Sequence, residues 1–257
     1  MTEKDLTFWE HLDVLRGSLI RCIVAVFVCA IVAFAFKDTL FSLILWPQKA
    51  DFPTYRLLGL LGGDHFSPIE LINTGLAGQF IVHMKVALAT GALIVSPYIL
   101  YELFHFISPA LYPNERRASL PALCAGFAMF ILGVVLTYLL LFPVTFRFLG
   151  TYEVQEGVRN LINLESYIST LLIMSLMMGV LFELPVLSWL LAKLGLLTSA
   201  PMRHYRRHAV VVILIIAAVI TPTGDVFTLT LVALPVYLLY EAAIWVVKAT
   251  EKPKIDK

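Results

Sequence analysis

The sequence predicts an all-α integral membrane protein with six transmembrane helices and both termini in the cytoplasm. Its composition favours this class: 60% of the 257 residues are hydrophobic, 14% are charged and the mean hydropathy is +0.86. Soluble domains contain about a quarter charged residues. The apolar residues also form runs of about 15 to 25 positions that are almost free of charge, which is the length that crosses a bilayer.

The distribution of Lys and Arg predicts the orientation of the helices. Most of these residues lie in the N-terminal tail, in residues 105–118 and 192–208, and in the C-terminal tail. Cytoplasmic connections of membrane proteins are enriched in Lys and Arg. We therefore expect these four segments on the cytoplasmic side, and the connections 37–75 and 143–165 on the outer side.

Several classes of function are disfavoured by the sequence. A net charge of +1 provides no broad basic surface for nucleic acid. Cys22, Cys29 and Cys124 all lie in apolar runs without the spacing of a metal or redox site. Walker, nucleophile-elbow and His/Glu metal motifs are missing from the sequence. We expect no cofactor, no metal and no catalytic residue, so the chain is not predicted to be an enzyme.

The N-terminal region predicts a helix on the cytoplasmic membrane surface. Apolar residues recur near helical spacing among the charges of residues 2–19: Leu6, Trp9, Leu12 and Leu19. We expect this amphipathic helix to bend directly into the first span, at about 20–36. A small-residue cleavage site does not follow this span, which therefore reads as an uncleaved signal anchor.

The next elements are an outer connection and two spans. Residues 37–75 are rich in aromatics and leucines, which predicts an ordered cap with short helices rather than disorder. The second span, about 76–104, exceeds a core of ~30 Å, so we expect it to tilt or to kink at Pro97. The third span, about 119–142, is expected to end at Phe142 and Pro143.

The second half of the chain contains three more spans. The fourth is predicted at about 166–191, the fifth at about 209–220 and the sixth at about 226–247. The fifth has only about 12 residues, roughly 18 Å of helix. The sixth is also short in its embedded part if Glu241 lies near the surface. Two short spans would thin the bilayer locally or leave a mismatch.

Residues 1–247 are accordingly predicted as a single polytopic domain, followed by a basic cytoplasmic tail at 248–257.

Ionisable residues inside the spans are candidates for function, because each costs ~2.5–3.5 kcal/mol on insertion scales. Glu183 has two interpretations: it hydrogen-bonds a polar side chain of a partner helix, or it is a protonated glutamate satisfied within the chain. Lys85 and Glu241 can extend towards the membrane surface. His83 is interpreted as a packed core residue. Asp225 is expected to cap the sixth span.

Carboxylates on the cytoplasmic face suggest the capture of guanidinium groups, which bind a carboxylate through two parallel hydrogen bonds. These carboxylates are Glu10, Asp13, Glu102 and Glu115, and the first two share one helix face. The alternative is that Glu115 pairs with a nearby arginine of this chain (Arg16, Arg116 or Arg117) and only orders its loop. The residues alone leave both open.

Four motifs, in order, resemble one family of membrane proteins. Residues 106–117 read FISPALYPNERR, similar to the pattern F-x-x-P-(A/G)-L-x-x-x-E-(R/K)-(R/K). The pairs His11-Leu12 and Leu15-Arg16 resemble H-L-x-E-L-R. The segments 182–185 (FELP) and 221–225 (TPTGD) resemble F-E-x-P and T-P-x-x-D. Over about residues 5–247 the chain resembles TatC, the multispanning core of the twin-arginine protein translocase.

The resemblance implies a function in protein export across a bacterial-type cytoplasmic (inner) membrane. TatC binds signal peptides with consecutive arginines, works with the single-span partners TatA and TatB, and uses the proton-motive force to export folded proteins. A homo- or hetero-oligomer in contact with membrane lipid is implied, without nucleic acid. The implied signal-peptide residues are Glu115, Glu10, Asp13, Arg16, Phe106, Pro109 and Leu111. The implied partner-helix residues are Glu183, Pro185, Thr221 and Asp225.

One position departs from the family pattern. The glutamate of H-L-x-E-L-R falls on Val14, whose side chain cannot bind a guanidinium group. Glu10, one helical turn earlier, and the adjacent Asp13 are both candidates to replace the missing charge.

A different class of function is a small-solute or ion transporter. It would use Glu183, Lys85 and Glu241 as a relay around one water-filled path.

Overall fold

The fold is built from helices, as a computed structural model describes it for residues 8–60, 69–107, 119–153, 155, 160–221 and 224–251. The α-helices are α1 (Phe8–Ala35), α2 (Lys37–Ile44), α3 (Pro53–Leu60), α4 (Gly78–Ile107), α5 (Ser119–Leu136), α6 (Phe142–Thr151), α7 (Leu164–Phe182), α8 (Leu184–Lys193), α9 (Ser199–His204), α10 (Arg206–Ile220) and α11 (Val226–Thr250). A short parallel pair joins β1 (Leu71–Ile72) to β2 (Ile162–Asn163).

Five helical segments of the described chain are long and apolar enough to cross a membrane. They are Leu12–Ala35, Gly78–Phe106, Pro121–Thr151, Leu164–Lys193 and Val226–Thr250. The predicted class, a helical integral membrane protein, is therefore confirmed.

The sixth predicted span corresponds to Val226–Thr250, whereas the fifth is not among these long segments because it is the short helix α10. Its 15 residues rise about 22 Å, less than the ~30 Å hydrocarbon core.

Helix α1 differs from its prediction because it begins at Phe8 and continues without interruption to Ala35. The expected bend between a surface helix and the first span is wrong for these residues. Its interior contains no proline that would break it. The first seven residues lie outside the described part.

Helices α1 and α4 pack antiparallel and very closely. At Gly91 of α4, an added Cβ would lie 2.7 Å from the backbone oxygen of Val26 and 2.8 Å from the backbone nitrogen of Ala30. Only glycine allows the two backbones to approach this closely.

Helix α4 also runs through Pro97, whose missing N–H leaves the carbonyl of Leu93 without its helical donor. The Ser96 hydroxyl donates to that carbonyl at 2.7 Å. This bond explains how the helix continues through the proline.

The third span does not end at Pro143, contrary to the prediction. A π-helical turn, Thr137–Leu141, follows α5, and α6 then continues to Thr151 with the proline in its first turn. The Phe142 N–H donates to the carbonyl of Thr137, five residues earlier. This wider turn changes the hydrogen-bond register just before the residue that lacks an N–H, so the helix is not terminated. The connection between α6 and α7 is correspondingly shorter than the predicted 143–165.

The fourth predicted span is interrupted at Glu183, where α7 ends and α8 begins. Pro185 lies in the first turn of α8, where its missing N–H costs no helical bond.

Helices α10 and α11 show why the embedded part of the last span is short although α11 itself is long. Arg206, the first residue of α10, pairs with Glu241 of α11 at 2.6 Å. The part of α11 before that level, from Val226, is about as long as α10. The 25 residues of α11 extend beyond it to pack on α8.

The connection between α2 and α4 is ordered where it is described. A 3-10 turn, Trp46–Gln48, and α3 surround Phe52 and Tyr55, which are both buried. The Tyr55 hydroxyl donates to the carbonyl of Pro47 at 2.9 Å. Burial raises the pKa of this phenol above its usual range. The predicted cap with short helices is confirmed for this stretch.

Candidate functional site

Helices α1 and α4 define the end of the bundle at which the predicted peptide-binding residues cluster. Arg21 of α1 bonds Glu102 of α4, which fixes the level of the two antiparallel helices. Arg16 lies five residues, about 7.5 Å, closer to this end, and Phe106 lies four residues, about 6 Å, closer. These two predicted residues are therefore at a similar level, although they lie 90 positions apart in the sequence.

Two of the predicted residues on α1 are accessible. Asp13 and Arg16 are exposed, and three positions apart they share a face of the helix. Phe106 is half-buried. The first turns of α1 and the last turn of α4 thus provide a carboxylate, a guanidinium group and an aromatic ring at one end of the bundle.

The other predicted residues at this end lie wholly or in part outside the described structure. Glu10 belongs to the first turns of α1, and its side chain lies outside the described part of the structure. Glu115, Pro109 and Leu111 lie outside the described residues, in the segment 108–118 that connects α4 to α5.

A carboxylate–guanidinium cluster that the sequence did not predict joins α1 to α4. Arg21 donates from Nε to Glu102 Oε1 at 3.0 Å and from Nη2 to Oε2 at 2.8 Å. The Tyr98 hydroxyl donates to Oε1 at 2.7 Å. Arg21 Nη2 also donates to the Ser18 hydroxyl at 3.0 Å. This is the two-pronged geometry in which a carboxylate holds a guanidinium group best.

The expectation that Glu102 is one of the carboxylates available for guanidinium capture is therefore wrong, because Arg21 of this chain already occupies it. Its side chain is only 8% exposed, whereas that of Arg21 is 53% exposed. Both carboxylate oxygens accept hydrogen bonds from this chain. The cluster positions α1 against α4 and leaves arginine recognition to other carboxylates at this end.

The second candidate site is the interruption at Glu183. The Glu183 N–H donates to the carbonyl of Val180 at 3.1 Å, and its own carbonyl accepts from Leu187 at 2.8 Å. One carboxylate oxygen, Oε1, is buried without a hydrogen-bond partner among the described residues. Burial of a polar group without a partner is costly, so this atom is the kind of exception that calls for an explanation.

Glu183 lies at the edge of an apolar cavity of about 300 Å³. The lining comes from four helices: Ala92, Ser96, Ile99, Leu100, Leu103 and Phe104 of α4, Phe130 of α5, Leu176 and Val180 of α7, and Glu183 and Leu187 at the start of α8. Gly126 of α5 packs directly on the carboxylate, because a Cβ there would lie 3.0 Å from Oε2. The site combines an apolar groove with one unsatisfied acceptor.

The remaining predicted partner-helix residues have local structural roles. The Thr221 hydroxyl is buried and donates to the carbonyl of Ala217 at 2.9 Å. Asp225 accepts from the Thr228 N–H at 2.7 Å and caps α11, which confirms its predicted role. Pro185 is buried at the start of α8. The groove at Glu183 is lined from α4, α5, α7 and α8, so Thr221 and Asp225 belong to a different region.

The structure separates the three groups of the transporter hypothesis. Lys85 donates to Glu165 at 2.7 Å and to the Ser169 hydroxyl at 3.1 Å. Lys85 precedes Ser96, a lining residue of the Glu183 groove, by 11 positions of α4, about 16 Å along the helix. Glu241 pairs with Arg206. Lys85 therefore lies at a different level from Glu183, and both Lys85 and Glu241 are already paired within the chain.

Metal ligation has no basis in the described residues, where no three His, Cys, Asp or Glu side chains are grouped closely enough to hold an ion.

Comparisons with known proteins agree with the motifs. Residues 10–235 match the family described as "TatC: Sec-independent protein translocase protein". A relative with that name from Blattabacterium sp. subsp. Periplaneta americana is 34% identical, with 98% of each chain covered. A second, from Aquifex aeolicus, is 35% identical and covers 95% of this chain and 96% of its own. A third, from Deinococcus radiodurans, is 37% identical, with 92% and 83% covered.

The fold is also similar to solved structures. A crystal structure of the "Twin Arginine Translocase Receptor- TatC" superposes with a TM-score of 0.80 at 31% identity, over 95% of this chain and all of the other. A second crystal structure of a TatC receptor, in DDM, has a TM-score of 0.79 at 32% identity, over 93% of this chain. The chain belongs to the TatC family, and it is a subunit of a Sec-independent protein translocase.

Proposed function

We propose that this protein is the receptor that binds twin-arginine signal peptides for the export of folded proteins. Its site is the end of the bundle formed by the first turns of α1, the last turn of α4 and the segment 108–118. The observation that supports this most directly is the register of α1 against α4. That register brings exposed Asp13 and Arg16 to the level of Phe106, next to the segment that contains Glu115.

The chemistry of the site suits an arginine pair. A guanidinium group binds a carboxylate through two parallel hydrogen bonds, as Arg21 and Glu102 do within this chain. Val14, at the position of the family glutamate, is 42% exposed and offers no acceptor. We assign the recognition of the arginine pair to Glu115, with Asp13 or Glu10 as the second carboxylate. Pro109 and Leu111 remain among the proposed signal-peptide residues.

The experiment is peptide binding to the purified protein after single substitutions. Glu115→Gln is expected to weaken binding of a peptide with two consecutive arginines at least about tenfold, because a charge-assisted hydrogen bond contributes ~1.5–3 kcal/mol. Glu153→Gln, at an exposed glutamate near the opposite end of the bundle, is the matched control and should leave binding unchanged. Equal crosslinking of the peptide to wild-type and Glu115→Gln protein would remove this site from consideration.

The same assay distinguishes the two candidates for the second carboxylate. If Asp13 takes the place of the family glutamate, Asp13→Asn weakens peptide binding and Glu10→Gln does not. The reverse result assigns the role to Glu10. Restoring the family residue with Val14→Glu should strengthen binding in either case.

We further propose that the Glu183 groove binds the membrane helix of a single-span TatA- or TatB-type partner. The unsatisfied Oε1 atom in an apolar groove supports this assignment, because a polar side chain on an incoming helix would satisfy it. Glu183→Ala is expected to reduce co-purification of the partner. Ser188→Ala, at a buried serine of the same helix that does not line the groove, serves as the control. Full co-purification with the Glu183 variant contradicts the assignment.

The proposed setting is the cytoplasmic (inner) membrane of a bacterial-type cell, with both termini in the cytoplasm. The protein works there as a homo- or hetero-oligomer and uses the proton-motive force. The 15-residue α10 would also thin the surrounding bilayer. A cysteine placed in the C-terminal tail tests the orientation. In intact cells it should not react with a membrane-impermeant thiol reagent, and it should react once the membrane is permeabilised so that the reagent reaches the cytoplasmic face.

A further inference from the structure

A polar pocket at the opposite end of α1 and α4 is not used by the proposed function. It has a volume of about 450 Å³ and is lined by Lys37, Phe41, Gln79, Phe80, His83 and Leu164. Its position is where α1 ends, α2 begins and α4 begins. In a membrane-spanning bundle this is the level of a boundary between hydrocarbon and headgroups.

The pocket contains an unsatisfied buried imidazole. His83 is 9% exposed, and its Nε2 atom has no hydrogen-bond partner among the described residues. The ring is held on two sides: it stacks on Phe34 at 3.8 Å between centroids and meets the edge of Phe41 at 5.7 Å. His83 lines the pocket, and a buried polar atom without a partner calls for an explanation, which a polar group bound in the pocket would supply.

The charge at the pocket is positive. Lys37 is exposed, and among the described residues its amino group makes no ion pair with a carboxylate. The other nearby lysine, Lys85, is already paired with Glu165 at 2.7 Å. A free ammonium group, an imidazole and the Gln79 amide together suit an anion with several oxygens, such as a phosphate.

An apolar groove of about 580 Å³ adjoins the pocket, and Phe80 lines both. The groove runs between α1 and α4 and is lined by Phe27, Ala30, Ile31, Phe34, Phe80, Ile81, Met84, Lys85, Ala87 and Leu88. It is open along its side, because Ile31 is 71% exposed and Met84 is 52% exposed. An apolar chain lying in this groove would extend from the pocket towards the centre of the bilayer.

We propose that the pocket and the groove together bind one anionic phospholipid. The phosphate contacts Lys37, Gln79 and His83, and an acyl chain lies on the exposed apolar side chains between α1 and α4. A free phosphate would use only the polar half of the site, and a neutral apolar molecule only the groove. The combination of the two chemistries, joined at Phe80, selects an amphiphile with a negative head.

The test is lipid retention by the purified full-length protein, measured by native mass spectrometry in detergent. The probes are phosphatidylglycerol, phosphatidylcholine and inorganic phosphate. We expect phosphatidylglycerol to be retained in preference to phosphatidylcholine. Lys37→Gln should weaken its retention about fivefold, as expected for the loss of one cationic contact to an anionic lipid. Lys49→Gln, at an exposed lysine outside the pocket, should have no effect.

Two further variants test each half of the site without depending on Lys37. His83→Phe keeps an aromatic ring between Phe34 and Phe41 and removes Nε2, so it should also weaken retention of phosphatidylglycerol. Met84→Trp fills the groove and should exclude the acyl chain, whereas Val28→Trp, on α1 outside the lining residues, should not.

Three results would overturn the proposal: equal retention of both lipids, equal retention by wild-type and Lys37→Gln protein, or competition by inorganic phosphate together with no effect of Met84→Trp. The last result would assign the pocket to a free anion.

Discussion

Glu102 and Glu183 are two glutamates that are equally buried, yet the hydrogen bonding of their carboxylates differs. Each glutamate is 6% exposed. Both oxygens of Glu102 accept hydrogen bonds, from Arg21 and Tyr98. Glu183 keeps one oxygen without a partner among the described residues. Burial alone therefore does not distinguish a carboxylate that is satisfied within the chain from one that is not. The hydrogen-bond partners distinguish the two.

The difference also explains the surroundings of each residue. Glu102 lies among polar side chains, including Ser18, at an end of α1 and α4. Glu183 lies on an apolar groove with Gly126 against its carboxylate. A glycine at this position leaves room for the carboxylate but offers no donor. We infer that the first arrangement is complete within the chain and that the second is completed by another chain.

The largest expected effect tests this comparison directly. Glu102→Ala should lower the melting temperature by at least about 5 °C, because it leaves the Arg21 guanidinium group without its counter-charge inside a helix pair. Glu183→Gln should change it by no more than about 2 °C, because the carboxylate makes no ion pair with a described residue. Thermal unfolding of both variants in the same detergent is the measurement. A comparable loss for Glu183→Gln would mean that this residue also has a structural partner within the chain.

The contrast could not have been predicted from the sequence, for a physical reason. Hydropathy locates apolar runs, and the short motifs locate Glu183 and Glu115, but neither gives the register of one helix on another. Arg21 and Glu102 are 81 positions apart, and their pairing depends on the close approach of α1 to α4 at Gly91. Glu102 therefore looked like an open carboxylate in the sequence.

The ends of the helices were the other weak point of the sequence predictions. The sequence predicts that the third span ends at Pro143, but the π turn before it allows the chain to stay helical up to Thr151. Glu183 lies inside the span Leu164–Lys193, as predicted, but the sequence does not reveal that the helix is interrupted there between α7 and α8. Proline and charge indicate where a helix can be perturbed. Whether it ends there depends on hydrogen bonds that the sequence does not reveal.

The second prediction separates the charge of the Glu102 cluster from its packing. The double variant Arg21→Leu with Glu102→Leu should recover most of the stability that either single substitution loses, because an apolar pair can replace an ion pair whose carboxylate is buried at little cost. Unfolding temperatures of the two single variants and the double variant form a double-mutant cycle. Additive losses would show that the two side chains stabilise the protein independently of each other.

The third prediction alters the Glu183 site without touching its carboxylate. Gly126→Ala introduces a Cβ about 3.0 Å from Oε2, so the flexible end of the glutamate must shift by a few tenths of an ångström. We expect a stability cost of at most about 1 kcal/mol and a clear change in the co-purification of a single-span partner. Gly17→Ala on α1, where the added Cβ would lie 3.4 Å from Arg21 Nη1, is the control. Unchanged co-purification with Gly126→Ala argues against the carboxylate as the contact.

The smallest expected effect concerns a third, exposed glutamate that is satisfied within the chain in the manner of Glu102. Glu251, directly after α11, accepts bonds from the backbone N–H and the hydroxyl of Ser199, the first residue of α9. These bonds hold the pKa of the Glu251 carboxyl below its usual range. Because the pKa is lower in the folded state, the bonds stabilise the protein above the pKa of the unfolded chain. Their contribution is lost as the pH falls through the lower, folded value.

Glu251→Gln should therefore lower stability slightly near neutral pH, and the difference from wild type should vanish as the pH falls through the folded pKa, which flattens the profile. The effect should be small, since the side chain is exposed. Melting temperatures between about pH 3 and pH 7 provide the measurement, with Glu153→Gln as a second exposed glutamate for comparison. A profile identical to wild type would show that the bonds to Ser199 do not persist in solution. If they do persist, Glu251 and Glu102 follow one rule: a glutamate satisfied within the chain supports the fold, in contrast to the unpartnered carboxylate oxygen of Glu183.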